Sequence, residues 1–191
     1  MGFFVLSIIF LLLNILIAVS TARASFIDLN AMYLTDNLTT TTTAAGSKIL
    51  TDFSLGFKID NAAKFNVGWN LTNVAISDST ATTTTFSSAD QGIKILVFFD
   101  NALAWGFGAA YNMVAKAKYN DGTTEEEWRG SSIKFDIGYA APINELFFAG
   151  LHLNYYSASY NEQILNKTSL ATIAYARPII YPSIYLSFRY K

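Results

Sequence analysis

The chain has no cysteine and a single histidine, His152. A disulfide framework and a cysteine-built zinc site are therefore impossible, and a histidine-rich metal centre has nothing to draw on. Charge is also scarce. Asp, Glu, Lys and Arg make up 14% of the residues, against roughly 25% in an ordinary soluble domain. Thirteen Lys and Arg against fourteen Asp and Glu leave no basic excess to meet phosphates, which argues against a nucleic-acid partner. A chain that is 52% hydrophobic is too apolar for intrinsic disorder. No residue pattern calls for a cofactor or a metal.

Residues 3–19 form an apolar run broken only by Ser7 and Asn14, and Ala22-Arg23-Ala24 precedes Ser25. A hydrophobic segment followed by a small-x-small site reads as a secretory signal peptide, residues 1–24, cleaved after Ala24. Without a cysteine the exported chain, residues 25–191, carries no lipid anchor.

Beyond Ser25 no stretch reaches the ~18 consecutive apolar residues of a transmembrane helix. Instead, period-two segments recur between polar turns, as in strands with two unlike faces. Phe53, Leu55 and Phe57 alternate with Asp52, Ser54 and Gly56, and Ile93, Ile95 and Val97 alternate with Gly92, Lys94 and Leu96. Trp105, Phe107 and Ala109 alternate with Gly106 and Gly108, while Ile133, Phe135 and Ile137 alternate with Lys134, Asp136 and Gly138. Strands near 27–33, 65–72, 147–155 and 183–190 complete a set of eight, the last with its parity reversed. No charge falls on any apolar face.

Eight strands enclose a space just wide enough to be filled by side chains. That space is too narrow for this many Phe, Tyr and Trp. The opposite face carries Gly56, Gly68, Gly92, Gly106, Gly108, Gly138 and Gly150, and glycine in a strand marks a place where room is short. Small and charged groups inside with bulky apolar groups outside describe a transmembrane β-barrel, since in hydrocarbon a sheet satisfies its backbone only by closing. The expected fold is thus all-β, an eight-stranded antiparallel up-and-down transmembrane barrel.

Short connections at 60–63, 100–102 and 141–144 alternate with polar stretches at 36–47, 77–90, 115–130 and 157–170, read as long extracellular loops. Both termini then lie on the periplasmic side. Parity predicts that Asn120-Asp121-Gly122 closes the third loop with Gly122 left-handed, which sets Lys116 opposite Glu126. The threonine tracts 39–43 and 80–85 read as solvated loop, with strand extension as the alternative. Glu125-Glu126-Glu127-Trp128 reads as a hairpin balanced by Lys116 and Lys118. The stretch 170–182, with Pro178 and Pro182, reads as an upward extension of strand eight carrying a bulge that reverses its parity. A lid or a lateral opening is the alternative.

This combination resembles the small eight-stranded bacterial outer-membrane proteins, the group of the OmpA membrane domain, OmpX and OmpW. The likeness is architectural and spans the exported chain. Such proteins commonly end on an aromatic residue after alternating apolar ones. Here Ile184, Leu186, Phe188 and Tyr190 alternate, and Lys191 shifts the ending by one. The resemblance implies an outer-membrane location, contact with outer-membrane lipid and lipopolysaccharide, and insertion by the barrel-insertion machinery. The expectation includes a monomer and no periplasmic domain after Lys191.

Asp28, Lys48, Asp52, Lys58, Lys64, Lys94, Lys134, Asp136, His152 and Arg189 fall on the inward parity, with Asp90 near the rim. Self-compensating ion pairs make them a plug, because an unpaired buried charge is costly. A narrow conduit is the alternative. His152 neighbours Leu153 and Asn154, and the nearest serine, Ser157, falls on the lipid-facing parity, so no catalytic residue is assigned and an outer-membrane lipid enzyme is the weakest reading. Tyr33, Phe57, Phe65, Phe99, Tyr111, Tyr139, Phe147, Tyr155, Phe188 and Tyr190 are placed as two membrane-anchoring aromatic girdles. Function is expected to be structural or surface-interacting, with a narrow channel for small or apolar solutes as the alternative. Ile95→Arg is expected to cost more than Lys94→Ala.

Overall fold

The computed structural model describes residues 26–39, 43–79, 83–165 and 168–190. The signal peptide read at 1–24, the tips of three hairpins and Lys191 lie outside the described residues. Eight strands follow in chain order: β1 Phe26–Thr39, β2 Thr43–Lys58, β3 Phe65–Ser79, β4 Thr83–Phe98, β5 Trp105–Asn120, β6 Glu125–Pro142, β7 Phe147–Leu165 and β8 Thr168–Arg189. Each pairs antiparallel with its neighbours in sequence, and β8 returns to β1 to close the ring. No helix occurs among the described residues.

Apart from the 121–124 connection, the described residues of the stretches read as long loops are strands. Thr39 pairs with Thr43, Ser79 with Thr83, and Asn120 with Glu125. Threonine and serine suit an extended backbone, and pairing satisfies that backbone more fully than a loop does. The ring is therefore tall. Its lower end holds the short turns and its upper end the long hairpins.

The lower turns share a construction. In the first, the Asp60 carboxylate accepts the Phe65 N–H at 2.7 Å and Ala63 takes φ 56°. In the second, the Asp100 carboxylate accepts the N–H groups of Ala104 and Trp105, and Leu103 takes φ 58°. Ala63 and Leu103 tuck under the ring against Phe26, Leu96 and Phe98. The third turn is shifted from its expected place. Ala141 and Pro142 belong to β6, and Asn144 accepts from the N–H groups of Leu146 and Phe147.

Two registers differ from expectation. The β5–β6 connection is Asp121–Thr124, and Gly122 is left-handed at φ 90° as predicted. A bulge between Asn112 and Ala115, which the sequence reading did not include, absorbs the parity difference. It turns Ala115 and Ala117 inward and Lys116 and Lys118 outward, so Lys116 faces Arg129 and not Glu126. In β8 the inward set is Tyr181, Ser183, Tyr185, Ser187 and Arg189, opposite even-numbered residues of both β7 and β1. The reversed parity persists along paired β8 from Tyr175 downward, so no bulge within that stretch creates it.

The β1–β8 seam is short. It runs from Phe26↔Arg189 to Ala31↔Ile184, whereas β7–β8 continues upward to Leu165↔Thr168. Extending the seam would set Tyr33 opposite Pro182 and Asn37 opposite Pro178. The Arg189 N–H points to Leu146 on the β7 side, so by alternation the backbone nitrogens of even-numbered residues point toward β1. Pro178 and Pro182 therefore lack the two donors that this seam would use. They leave the β7 ladder intact, pairing with Ser157 and Leu153. Leu34, on the inward parity, is 51% exposed beside the gap.

Candidate functional site: the buried polar interior

In the lower half of the ring, inward positions converge on a connected set of charges. Lys94 on β4 and Lys134 on β6 are each fully buried, as long cations seldom are. Lys134 lies 2.6 Å from Asp52 and 3.8 Å from Asp136, while Lys94 lies 3.4 Å from Asp136 and 3.8 Å from Asp28. Asp136 also meets His152 Nδ1 at 3.1 Å, and the imidazole stacks on Tyr185 with centroids 3.8 Å apart. Each carboxylate thus has a cation or a ring nitrogen beside it, the condition under which buried charge is tolerated.

Hydroxyls and amides add hydrogen bonds to the carboxylates, although Asp28 Oδ2 and Asp136 Oδ2 accept none among the described residues. Asp52 accepts from Thr72 at 2.6 Å and from Tyr181 at 3.1 Å, and Asp28 accepts from Tyr185 at 2.7 Å and Ser187 at 2.6 Å. Asn70 links Thr72 to Asn112, and Asn112 donates to Ser132 at 3.0 Å. Ser132, Ser88 and Tyr156 all donate to Asp90. Asp90 is therefore an anchor deep in the wall, not a rim residue.

Glycine makes the room. Gly108 pairs with Asp136 and Gly138 with His152 across their ladders. A methyl group on either would collide with that partner's side chain.

Arg189 closes the lower end. Its guanidinium donates to Leu103 O, to Tyr185 Oη at 3.1 Å and, through Nε, to Ser187 at 2.9 Å. It also lies 4.0 Å from the Phe98 ring centroid and 4.2 Å from that of Phe148. Cation–π contact of this kind strengthens once water is excluded.

Of the residues singled out in sequence, Asp28, Asp52, Lys94, Lys134, Asp136 and His152 meet in one network, and Arg189 joins it through Tyr185 and Ser187. Lys48 and Lys64 are half-buried and Lys58 is exposed. None of the three forms an ion pair among the described residues. Tyr156, Tyr181, Tyr185, Asn70, Thr72 and Asn112 were not assigned to this network; strand parity placed all but Tyr181 inward, and Tyr181 fell in the stretch 170–182 read as an extension of strand eight. Of the aromatics read in sequence as membrane anchors, Tyr33, Phe57, Phe65, Phe99, Tyr111, Tyr139, Tyr155 and Tyr190 are exposed on the outer face, while Phe147 and Phe188 are half-buried.

Above this network the interior changes character. Leu50, Val74, Ile76, Phe86, Ala115, Ala117, Ala158 and Tyr160 form an apolar cluster, with Tyr119, Trp128, Ile173 and Ile179 packed on it. Trp128 stacks on Tyr119 at 5.2 Å and meets Tyr175 at 4.8 Å, and its Nε1 donates to Glu126 at 2.7 Å. The acidic run read as a solvated hairpin thus sends its tryptophan inward, and Glu127 pairs outside with Lys118 at 3.2 Å.

Comparison with known proteins adds no relative: no family model matches the chain, and no curated protein matches it.

Proposed function

We propose that the chain is an integral outer-membrane barrel with a plugged interior, serving a structural or surface-interaction role. One observation carries this reading. Around the lower half, Phe57, Trp69, Ile95, Trp105, Ile137 and Leu151 stand exposed on the outer face while Asp28, Asp52, Lys94, Lys134, Asp136 and Arg189 lie buried inside. Exposed apolar area on this scale is a liability in water and a requirement in hydrocarbon. The ion-pair network and the Arg189 clasp fill the section that a conduit would need.

Purified protein refolded into a planar bilayer is expected to show no discrete conductance steps. Steady ion conduction would overturn the plug. Monodisperse solubility of residues 25–191 without detergent would overturn the membrane reading itself.

A second reading has its own support. The upper interior is apolar, and the wall beside it is unpaired between β1 and β8. An apolar solute entering there would stop at the polar network, so the reading is of uptake or storage from the membrane side. In a Trp69→Phe, Trp105→Phe variant that keeps Trp128 as its one tryptophan, quenching by a brominated fatty acid, but not by iodide, tests it.

A further inference from the structure

The outer face carries two opposed cations at the height where its apolar surface ends. The bulge in β5 turns Lys116 outward, and its partner across the ladder is Arg129. Like charges directly opposite one another destabilise a strand pair. The neighbouring cation Lys118 is neutralised by Glu127 at 3.2 Å. Among the described residues, neither Lys116 nor Arg129 forms an ion pair, although Glu162 is the next residue across from Arg129.

These two side chains line a trough of about 700 Å³ on the outer surface, together with Gln91, Met113, Ser131 and Glu162. Register shifts fall at this one level on successive ladders, at Gln91/Ile93, Asn112/Ala115, Arg129/Gly130 and Tyr160/Glu162. Bulges bend and twist a strand locally, and here they line up around the trough. Immediately below lie Tyr111, Met113 and Ile133, all exposed. In a barrel anchored by its aromatic girdle, the level just above Tyr111 is that of the lipid phosphates.

We propose that Lys116 and Arg129 bind the phosphate of a phosphorylated membrane amphiphile whose acyl chains lie along Tyr111, Met113 and Ile133. A phosphate between the two cations relieves their repulsion through charge-assisted hydrogen bonds. With Glu162 nearby the trough holds one net positive charge, which suits a single phosphate monoester better than a polyanion. The proposal rests on the membrane reading.

The test uses the chain refolded in phosphatidylcholine nanodiscs doped with monophosphorylated lipid A or with the same lipid stripped of phosphate. Lipid retained after extraction into mild detergent is counted by native mass spectrometry. The phosphorylated lipid is expected to be retained about tenfold over the stripped one, the worth of one charge-assisted contact. Lys116→Ala combined with Arg129→Ala removes that preference, Lys116→Arg keeps it, and Lys118→Ala leaves it unchanged. Millimolar inorganic phosphate does not displace the lipid.

Equal retention of the two lipids, or an unaltered preference in the double variant, overturns the site while leaving the barrel reading intact. Displacement by inorganic phosphate overturns the lipid assignment. A chain that stays dissolved and will not enter nanodiscs overturns both readings together.

Discussion

The lower and upper halves of the ring are built on opposite plans. Below the bulge level, charges and glycines face inward while Trp105, Ile137 and Ile95 face outward. Above it, Phe86, Ile76, Trp128 and Tyr160 face inward, while Ser87, Lys116, Lys118 and Glu127 face outward. The upper half has the polarity of a barrel standing in water, and the lower half is its inverse. One continuous ladder carries both plans, which on the proposed membrane reading is a change of solvent along the strands. The hydrophobic effect acts wherever water is the alternative environment, and on that reading the reversal marks where it ceases to act on the outer wall.

The largest expected effect lies in the lower interior. Asp136 touches Lys94, Lys134 and His152, and Asp136→Ala leaves two buried cations short of a partner. Breaking a buried pair from one side costs about 3–5 kcal/mol. Removing Lys118, whose bridge to Glu127 is solvated, costs about 0.2–1 kcal/mol. Urea unfolding of both variants in lipid vesicles measures the contrast, and equal midpoints would erase the distinction between the two halves. The same geometry revises the expected order for Lys94→Ala. With Asp28 and Asp136 both relying on Lys94, that change belongs with the costly ones.

Next in size is a comparison along a single strand. Ile95 and Ser87 both face outward on β4, one below the reversal and one above it. If the lower half stands in a bilayer, as proposed, Ile95→Arg places a charge against hydrocarbon and costs about 2–4 kcal/mol. Ser87→Arg on the water-facing half costs within about 0.5 kcal/mol. Folding yield into vesicles of defined thickness reads both. If the two substitutions cost the same, the solvent boundary is misplaced.

This contrast also shows how far the sequence could be read. The lower strands were legible because bulky apolar and small or charged residues alternate there with high contrast, and only one facing fits the volume. The upper strands were read as loops because Thr, Ser and Ala give low contrast, and their pairing depends on the neighbouring hairpin, which no local pattern reveals. In β5 the run Ala115-Lys116-Ala117-Lys118 alternates in either register, so its periodicity is blind to a one-residue slip. The only trace was Met113 followed by Val114, two apolar residues in succession, which are the residues that bulge outward. For the interior, parity found the charged members of the network. It could not find which of them touch, since contact depends on how far the register climbs around the ring. Starting from Ile27, successive partners lead through Leu55, Trp69, Ile93, Tyr111, Ile133 and Ser157 to Pro178. That residue stands level with Asn37 and not with Ile27.

A smaller effect sharpens the seam. Pro182→Ala restores a donor aimed at β1 opposite Tyr33, and one added hydrogen bond is worth about 0.5–1.5 kcal/mol. Slower amide exchange at Tyr33 and Thr35 in the variant would show the seam extending upward. Unchanged exchange would mean that the prolines are not what ends it.

The smallest effect compares the two ends of the ring. Hydrogen bonds from the Thr123 hydroxyl and the N–H groups of Thr123 and Thr124 hold the Asp121 carboxyl below its ordinary value of 3.8 at the upper tip. At the lower end the Phe65 N–H does the same for Asp60. A carboxylate whose folded pKa is depressed stabilises its turn fully above the unfolded value, and that contribution fades as pH falls through 3.8 and then through the lowered folded value. Both turns should therefore loosen only in acid below about pH 4, the range set by the ordinary carboxylate pKa. In sealed vesicles holding the protein in one orientation, acidifying the outside alone should lower the protection factors of the Thr123 and Thr124 amides, taken relative to intrinsic exchange at that pH, and leave Phe65 protected, or the reverse if the chain is inserted the other way. Simultaneous loosening of both turns under one-sided acid would mean that they share a compartment, and a barrel spanning a bilayer cannot place its two ends in one.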